Sequence, residues 1–254
     1  MPQRTSYAHG TPSWVDLATP DVDGSRDFYG ALLGWRFERG TEQEGFYTMA
    51  YLGDAAAAGM MAISADNPMP PVWTSYVSVD DIETTVKLVE PAGGQVVQAP
   101  MDVLEYGRMA VLADPTGAVI CLWQPGTHLG SGVVNEPGAF CWSELISPDV
   151  EKAAVFYGEL FGWTTRTTAM GPGQSYTEFL LDGNSIAGGM APPVPGMPAY
   201  WGVYFAVANT DSSLEQATAK GASVMMGPID IPAGRFAVLR DPQGVVVSFI
   251  QLPG

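Results

Sequence analysis

Basic residues are scarce: 11 Lys and Arg against 27 Asp and Glu leave a formal charge of −16 over 254 residues. Such a balance repels nucleic acid and anionic membrane surfaces, and favours a neutral or cationic small partner. Cysteine is as rare. Cys121 and Cys141 are too few for a disulfide framework and lack metal-ligand spacing, so both read as reduced residues within strands. Histidine occurs only as His9 and His128, each outside any predicted strand, where a solvent-exposed or capping role is expected. No apolar run reaches the ~18 residues of a membrane span, and the opening MPQRTSYAHG has no apolar signal core, so a cytoplasmic location is expected. What is present is a 46% hydrophobic chain, enough to bury the core of one large or two small domains.

The chain repeats itself at an offset of 128 residues. Trp14 aligns with Trp142, Asp16 with Glu144, Phe28-Tyr29 with Phe156-Tyr157, and LLGW ending at Trp35 with LFGW ending at Trp163. Further on, GRMAVLADPTGAVICLWQ from Gly107 aligns with GRFAVLRDPQGVVVSFIQ from Gly234 after a one-residue deletion. The boundaries expected are a first domain over 10–124, a Gly/Pro-rich linker over 125–138 and a second domain over 139–254. Each half divides again. A short alternating strand, WVDLATPD, precedes VDGSRDFYGALLG, whose Phe28, Leu32 and Leu33 share a helical face before a glycine stop; strands follow, and the pattern restarts at WTSYVSVDD. The unit is βαβββ, present four times, in an α+β chain. DPTG at Asp114 and DPQG at Asp241 separate paired apolar strands and read as hairpin turns.

These units, with DFYGALLGW after the first strand and DPxG before the last, resemble the vicinal oxygen chelate superfamily of glyoxalases, bleomycin resistance proteins and extradiol dioxygenases. The two-domain layout further resembles actinobacterial glyoxalase-like proteins and accessory proteins of polyketide antibiotic pathways. The resemblance implies two tandem domains with curved, cup-like mixed sheets, each carrying His, Gln or Glu metal ligands on its inner face. Carried over position by position, those ligands fall at Trp14, near Met60, at Thr74 and at Cys121. In the second half they fall at Trp142, near Gly189 or Met190, at Gly202 and at Ser248. None of these is His, Gln or Glu, and Trp, Gly and Met cannot replace them around a divalent cation. No metal and no cofactor are expected.

Strand side chains alternate, so residues sharing parity with a ligand position face the same cup. Asp16 thus accompanies Trp14, Glu144 accompanies Trp142, Tyr76 follows Thr74, Tyr204 follows Gly202, and Trp123 follows Cys121. Each cup then holds large aromatics and one carboxylate, which must be paired or driven toward its neutral form. Three partners are open: a ligand cation, a proton, or a protein cation, for which Arg108 and Arg235 are the candidates. Trp73 and Trp201, of opposite parity, are expected to support packing behind the sheets.

Two readings follow. The first is a metal-free receptor whose cups, lined by Trp14, Asp16, Met60, Tyr76, Arg108, Cys121 and Trp123, or by Trp142, Glu144, Tyr204, Arg235 and Ser248, hold a small hydrophobic natural product. Aromatic, polyketide-type and amine-bearing ligands fit such cups, for sequestration, self-resistance or assistance to a tailoring oxygenase. The alternative is a cofactor-free enzyme of lyase, isomerase or hydroxylase type, with Asp16 or Glu144 as general acid or base; a metal-dependent glyoxalase fits the residues less well. A monomer is the default, a dimer the alternative.

Overall fold

The computed structural model describes residues 4–64 and 68–253. The first half runs β1 (Pro12–Thr19), α1 (Val22–Leu33), β2 (Arg36–Arg39), β3 (Thr48–Leu52), β4 (Ala55–Ala62), β5 (Val72–Ser78), α2 (Ile82–Val89), β6 (Gln95–Val103), β7 (Gly107–Ala113) and β8 (Val119–Pro125). The second repeats it as β9 (Phe140–Ile146), α3 (Val150–Phe161), β10 (Thr164–Gly171), β11 (Gln174–Leu181), β12 (Asn184–Met190), β13 (Tyr200–Ala206), α4 (Thr210–Ala219), β14 (Ser223–Ile231), β15 (Gly234–Arg240) and β16 (Val246–Gln251). Two mixed sheets of eight strands result, ordered β2-β3-β4-β1-β5-β8-β7-β6 and β10-β11-β12-β9-β13-β16-β15-β14. The α+β architecture of four βαβββ units is therefore present. Among the described residues no helix is long and apolar enough to cross a membrane.

Local chemistry explains the repetition. Each helix starts on a side chain that accepts a backbone N–H three residues on: Asp21 from Gly24, Asp81 from Thr84, Asp149 from Lys152 and Asn209 from Ser212. Helices α1 and α3 end on glycines with φ of 73° and 71°, a left-handed turn that Gly34 and Gly162 adopt without strain and that sends the next strand back along the sheet.

The domains pack through the faces opposite the cups. One core joins Val15, Leu17, Phe28 and Tyr29 of the first half to Phe205, Leu214, Leu239 and Phe249 of the second. The other joins Val77, Ile82, Leu112 and Leu122 to Leu145, Phe156, Tyr157 and Phe179. Where the central strands meet, Ser75 and Ser143 hydroxyls are 2.8 Å apart. The DPxG turns have a second role that hairpin reasoning does not reach. Asp241 Oδ1 accepts the backbone N–H of Gln243 and Val245 at 2.9 and 2.8 Å, while its Oδ2 accepts the Tyr29 hydroxyl of the other domain at 2.8 Å. Asp114 mirrors this with Tyr157 at 2.9 Å. Trp73 and Trp201 donate to those two tyrosine hydroxyls at 2.9 and 2.8 Å, which places both tryptophans behind the sheets.

Candidate functional site

With the backs of the sheets joined, the faces carrying Trp14 and Trp142 turn away from the interdomain cores. On β1, Trp14 and Asp16 point to one side and Val15 and Leu17 to the other. Asp16, only 3% exposed, lies opposite Thr74 of β5, and Trp14 lies opposite Tyr76. Its Oδ2 accepts two phenolic hydroxyls, from Tyr76 at 2.8 Å and from Tyr47 at 3.1 Å. Trp14 Nε1 donates to the Tyr47 oxygen at 3.1 Å. The second cup repeats the motif: Glu144 Oε2 accepts from Tyr204 at 2.6 Å, the Tyr176 hydroxyl also bonds the carboxyl, and Trp142 Nε1 donates to Tyr176 at 3.0 Å.

A glycine makes each network possible. Strand register sets Gly59 opposite Asp16 and Gly188 opposite Glu144, and a Cβ at either position would sit 1.8 or 2.0 Å from the Tyr47 or Tyr176 oxygen. The phenols fill the space that any larger side chain at those glycines would need. Tyr47 and Tyr176 escape the strict 128-residue repeat because they are 129 apart, but each begins a Tyr-Thr pair that a one-residue shift in the comparison would have matched.

Burial governs the electrostatics. It pushes the Asp16 carboxyl up from 3.8 to about 6, against the two tyrosine hydrogen bonds, which pull it down. Glu144 is raised by burial too, with Tyr204 and Tyr176 opposing. Burial, then the nearby Asp16 charge, raises the Cys121 thiol, so that it stays protonated at neutral pH.

Several expected placements are corrected. Arg108 does not approach Asp16: it bonds Glu83 at 2.8 Å and Asp102 at 2.8 Å. Arg235 likewise bonds Asp211 at 2.8 Å and Asp230 at 2.9 Å, tying α4 to β14. The partners of the cup carboxylates are instead neutral hydroxyls, which supply hydrogen bonds without the desolvation of a second charge. Met60 lies behind the sheet, because the parallel register pairs it with Leu17 and gives it that residue's face. His128 is neither solvent-exposed nor a cap. Its ring stands edge-on to Trp14, with centroids 4.5 Å apart, and 5.7 Å from Trp123, and burial pushes its pKa down to about 4. His9 does serve a turn, accepting the Asp80 N–H at Nδ1.

The other residues singled out in the sequence stay on the cup side. Cys121 and Trp123 join Trp14 and Tyr76 in one buried cluster, 3 to 6% exposed. Trp123 Nε1 donates to the His128 carbonyl at 2.9 Å. In the second cup, Trp142, Tyr176 and Gly202 are half-buried, Ser248 is buried beside Tyr204, and the Phe236 ring lies 6.1 Å from that of Tyr204. Two surface depressions lie elsewhere, one between α3 and β10 around Val150 and Thr165, the other at the β14–β15 hairpin around Asp230 and Arg235.

A cation site of the kind the fold carries elsewhere does not fit these residues. A divalent metal needs several converging ionised or imidazole donors. Each cup brings one carboxylate already accepting two hydroxyls, and among the described residues no three His, Cys, Asp or Glu gather to hold a metal. Each cup can instead offer flat apolar walls, phenolic oxygens and a carboxyl that burial pushes upward.

Comparison with known proteins places this architecture. The model of the Glyoxalase/Bleomycin resistance protein/Dioxygenase superfamily matches residues 11–122 and again 140–249. A relative described as "Putative glyoxylase CFP32", from Mycobacterium tuberculosis, is 41% identical over 256 residues, covering 99% of this chain and 98% of its own. "Anthracycline biosynthesis protein DnrV" of Streptomyces peucetius is 35% identical, covering 98% of this chain and 95% of its own. Among solved structures, the Mn(II)-bound glyoxalase from Novosphingobium aromaticivorans superposes with a TM-score of 0.66 at 15% identity, covering 96% of this chain and 83% of its own. The 2,2',3-trihydroxybiphenyl 1,2-dioxygenase from Sphingomonas wittichii gives 0.67 at 14%, covering 97% and 93%. With matched units spanning nearly its whole length, the chain belongs to the glyoxalase/bleomycin resistance protein/dioxygenase superfamily as a two-domain member.

Proposed function

We propose that the protein binds a small, planar, hydrophobic natural product of the aromatic polyketide type in its second cup, without a metal. The observation that carries this reading is the half-buried set Trp142, Tyr176 and Phe236 over the buried Glu144–Tyr204 pair. Flat rings favour a planar guest, and an offset or edge-on aromatic pair adds about 0.5–1.5 kcal/mol beyond area burial. The relative named for anthracycline biosynthesis points to polyketides as the ligand class. The −16 charge draws an amine-bearing ligand by its long-range field rather than by a contact with Glu144, whose carboxyl is already hydrogen-bonded. The role is sequestration of a product, for self-resistance or to relieve a tailoring oxygenase of it.

The test is a titration of chelator-treated protein with daunorubicin, a planar polyketide carrying an amine, followed by tryptophan quenching and by chromatography of the ligand. Saturable micromolar quenching with the ligand recovered intact is the expected result; the absence of quenching at any concentration up to solubility refutes the reading.

A second reading rests on the raised carboxyls. A carboxyl raised by burial holds its proton more readily and can move it for an enolisable or quinone-like ligand, contributing about 10²- to 10⁴-fold. Conversion of the ligand that persists in the Asp16→Asn/Glu144→Gln double variant removes that mechanism, and conversion lost in Glu144→Gln alone assigns it to the second cup.

A further inference from the structure

The first cup is covered by the chain itself. After β8, residues 126–131 turn back over the cup. Their backbone is fastened independently of the imidazole: the N–H of Thr127 bonds Glu105 O at 3.0 Å, that of His128 bonds Tyr106 O at 3.0 Å, and that of Ser131 bonds Ser13 O at 2.7 Å. Gly130, at φ 120°, lets this strap lie on β1, where a Cβ would come within 2.5 Å of the Ser13 carbonyl oxygen. The strap aims one ring into the cup. His128 sits edge-on to Trp14 at 81° and to Trp123 at 70°, the arrangement an aromatic guest would adopt against the same two indoles.

This occupant is imperfectly matched. His128 Nε2 is buried and has no hydrogen-bond partner among the described residues, although buried side-chain nitrogens nearly always find one. The ring packs by shape and apolar area and leaves a polar atom unpaid, so its fit is that of a space-filling insert rather than of a hydrogen-bonded network member. Nothing comparable overlies Trp142 among the described residues: no ring stands against it as His128 stands against Trp14, and it is half-buried where Trp14 is 4% exposed.

We infer that His128 is a built-in occupant of the first cup, an intramolecular ring standing where a planar aromatic ligand would bind, and that the strap with this ring restricts the protein to one ligand per chain, in the second cup. Resting as it does on the binding reading above, the inference extends that reading to stoichiometry and to site choice. Because the strap's backbone bonds do not depend on the imidazole, shortening the side chain opens an imidazole-sized space beside Trp14 and Trp123 rather than releasing the strap. Replacing it with a ring of similar size that has no nitrogen keeps the cup filled and removes the unpartnered atom.

Two readouts on wild type, His128→Ala and His128→Phe separate the inference from the binding reading. The first is the number of daunorubicin molecules bound per chain. The second is the shift in melting temperature on adding 4-methylimidazole, which mimics the deleted side chain. Expected is one daunorubicin site in all three proteins, since the strap still covers the first cup and the space opened in His128→Ala admits a single small ring and not a four-ring ligand. A saturable rise in melting temperature with 4-methylimidazole is expected in His128→Ala alone, and His128→Phe melts at or above wild type. Two sites in wild type overturn the inference, as does a His128→Ala protein that folds and shows no response to 4-methylimidazole. A His128→Phe protein that melts below wild type also counts against it, which keeps the inference testable if His128→Ala does not fold. If no variant binds daunorubicin while His128→Ala still takes up 4-methylimidazole, the occupant stands and the ligand reading falls.

Discussion

The two cups share a floor and differ in their cover. Below, Trp14–Tyr47–Asp16–Tyr76 and Trp142–Tyr176–Glu144–Tyr204 are the same chain of donors and acceptors, built over a glycine in each case. Above, the first cup is closed by a strap and its histidine, while the second presents half-buried aromatics. The floor solves a folding problem common to both halves: once no metal ligands stand at the centre of a curved sheet, the concave interior needs side chains that fill it and satisfy one another. The cover differs, because the segment after β8 lies back over the first cup and brings His128 against Trp14. Floor residues therefore bear on stability in both halves, and cover residues bear on which half is accessible.

The largest effect should come from the glycines. Gly188→Ala forces the Tyr176 phenol off Glu144 and leaves a buried carboxyl short of a donor; overpacking and the lost hydrogen bond together should cost about 2–5 kcal/mol in chemical denaturation. Gly59→Ala should cost as much, since its floor is built alike. A tolerant Gly188 beside an intolerant Gly59 would show that the floors are not equivalent.

The pH dependence is next in size. Asp16 has a folded pKa raised from 3.8 to about 6, so its contribution is intact below pH 3.8 and is lost as pH rises through 6. At 1.36 kcal/mol per pKa unit the loss amounts to about 3 kcal/mol. His128 works in the opposite sense. Its folded pKa is depressed from 6.5 to about 4, so stability is lost as pH falls below 6.5 toward 4. Relative to wild type, Asp16→Asn should gain stability between pH 4 and 7, whereas His128→Phe should gain it between pH 6.5 and 4. Denaturation midpoints across that range measure both, and a flat difference for either variant removes that residue from the account.

A smaller effect is expected behind the sheets. Tyr29→Phe and Tyr157→Phe each remove a cross-domain hydrogen bond to a DPxG aspartate together with the acceptor of a buried tryptophan N–H, and should cost a similar ~1–3 kcal/mol, without altering daunorubicin affinity. Unequal losses would mean that the two cores, unlike the two floors, carry different loads. Smallest of all is Arg235→Ala. Its ion pairs lie at the surface, so it should leave both melting temperature and ligand binding nearly unchanged; a clear loss of binding would return Arg235 to the second cup.

Much of this was legible in the residues. The repeat gave the four units, parity put Trp14 beside Asp16 and Trp73 behind the sheet, and the absence of His, Gln and Glu at the ligand positions left a cup without metal donors. The strand β2 was not named because RFER is a short, charged and largely exposed edge, without the alternation that marks a half-buried strand. Pairings across strands were the hardest to see. Arg108 follows a glycine on a cup-forming strand, and nothing in one sequence shows that Glu83 and Asp102 reach it first. Met60 changes face through a register that only the pairing with Leu17 defines. His128, in a polar linker, gave no hint of burial, because the indoles that enclose it come from β1 and β8.

The most direct test of the account is calorimetric titration of chelator-treated wild-type protein with daunorubicin, run beside Trp142→Ala and Trp14→Ala. One site per chain, weakened at least tenfold by Trp142→Ala and unaffected by Trp14→Ala, is the result that follows from an open second cup over a metal-free floor. Binding that appears only after Mn(II) is added, or that Trp14→Ala abolishes while Trp142→Ala does not, contradicts it.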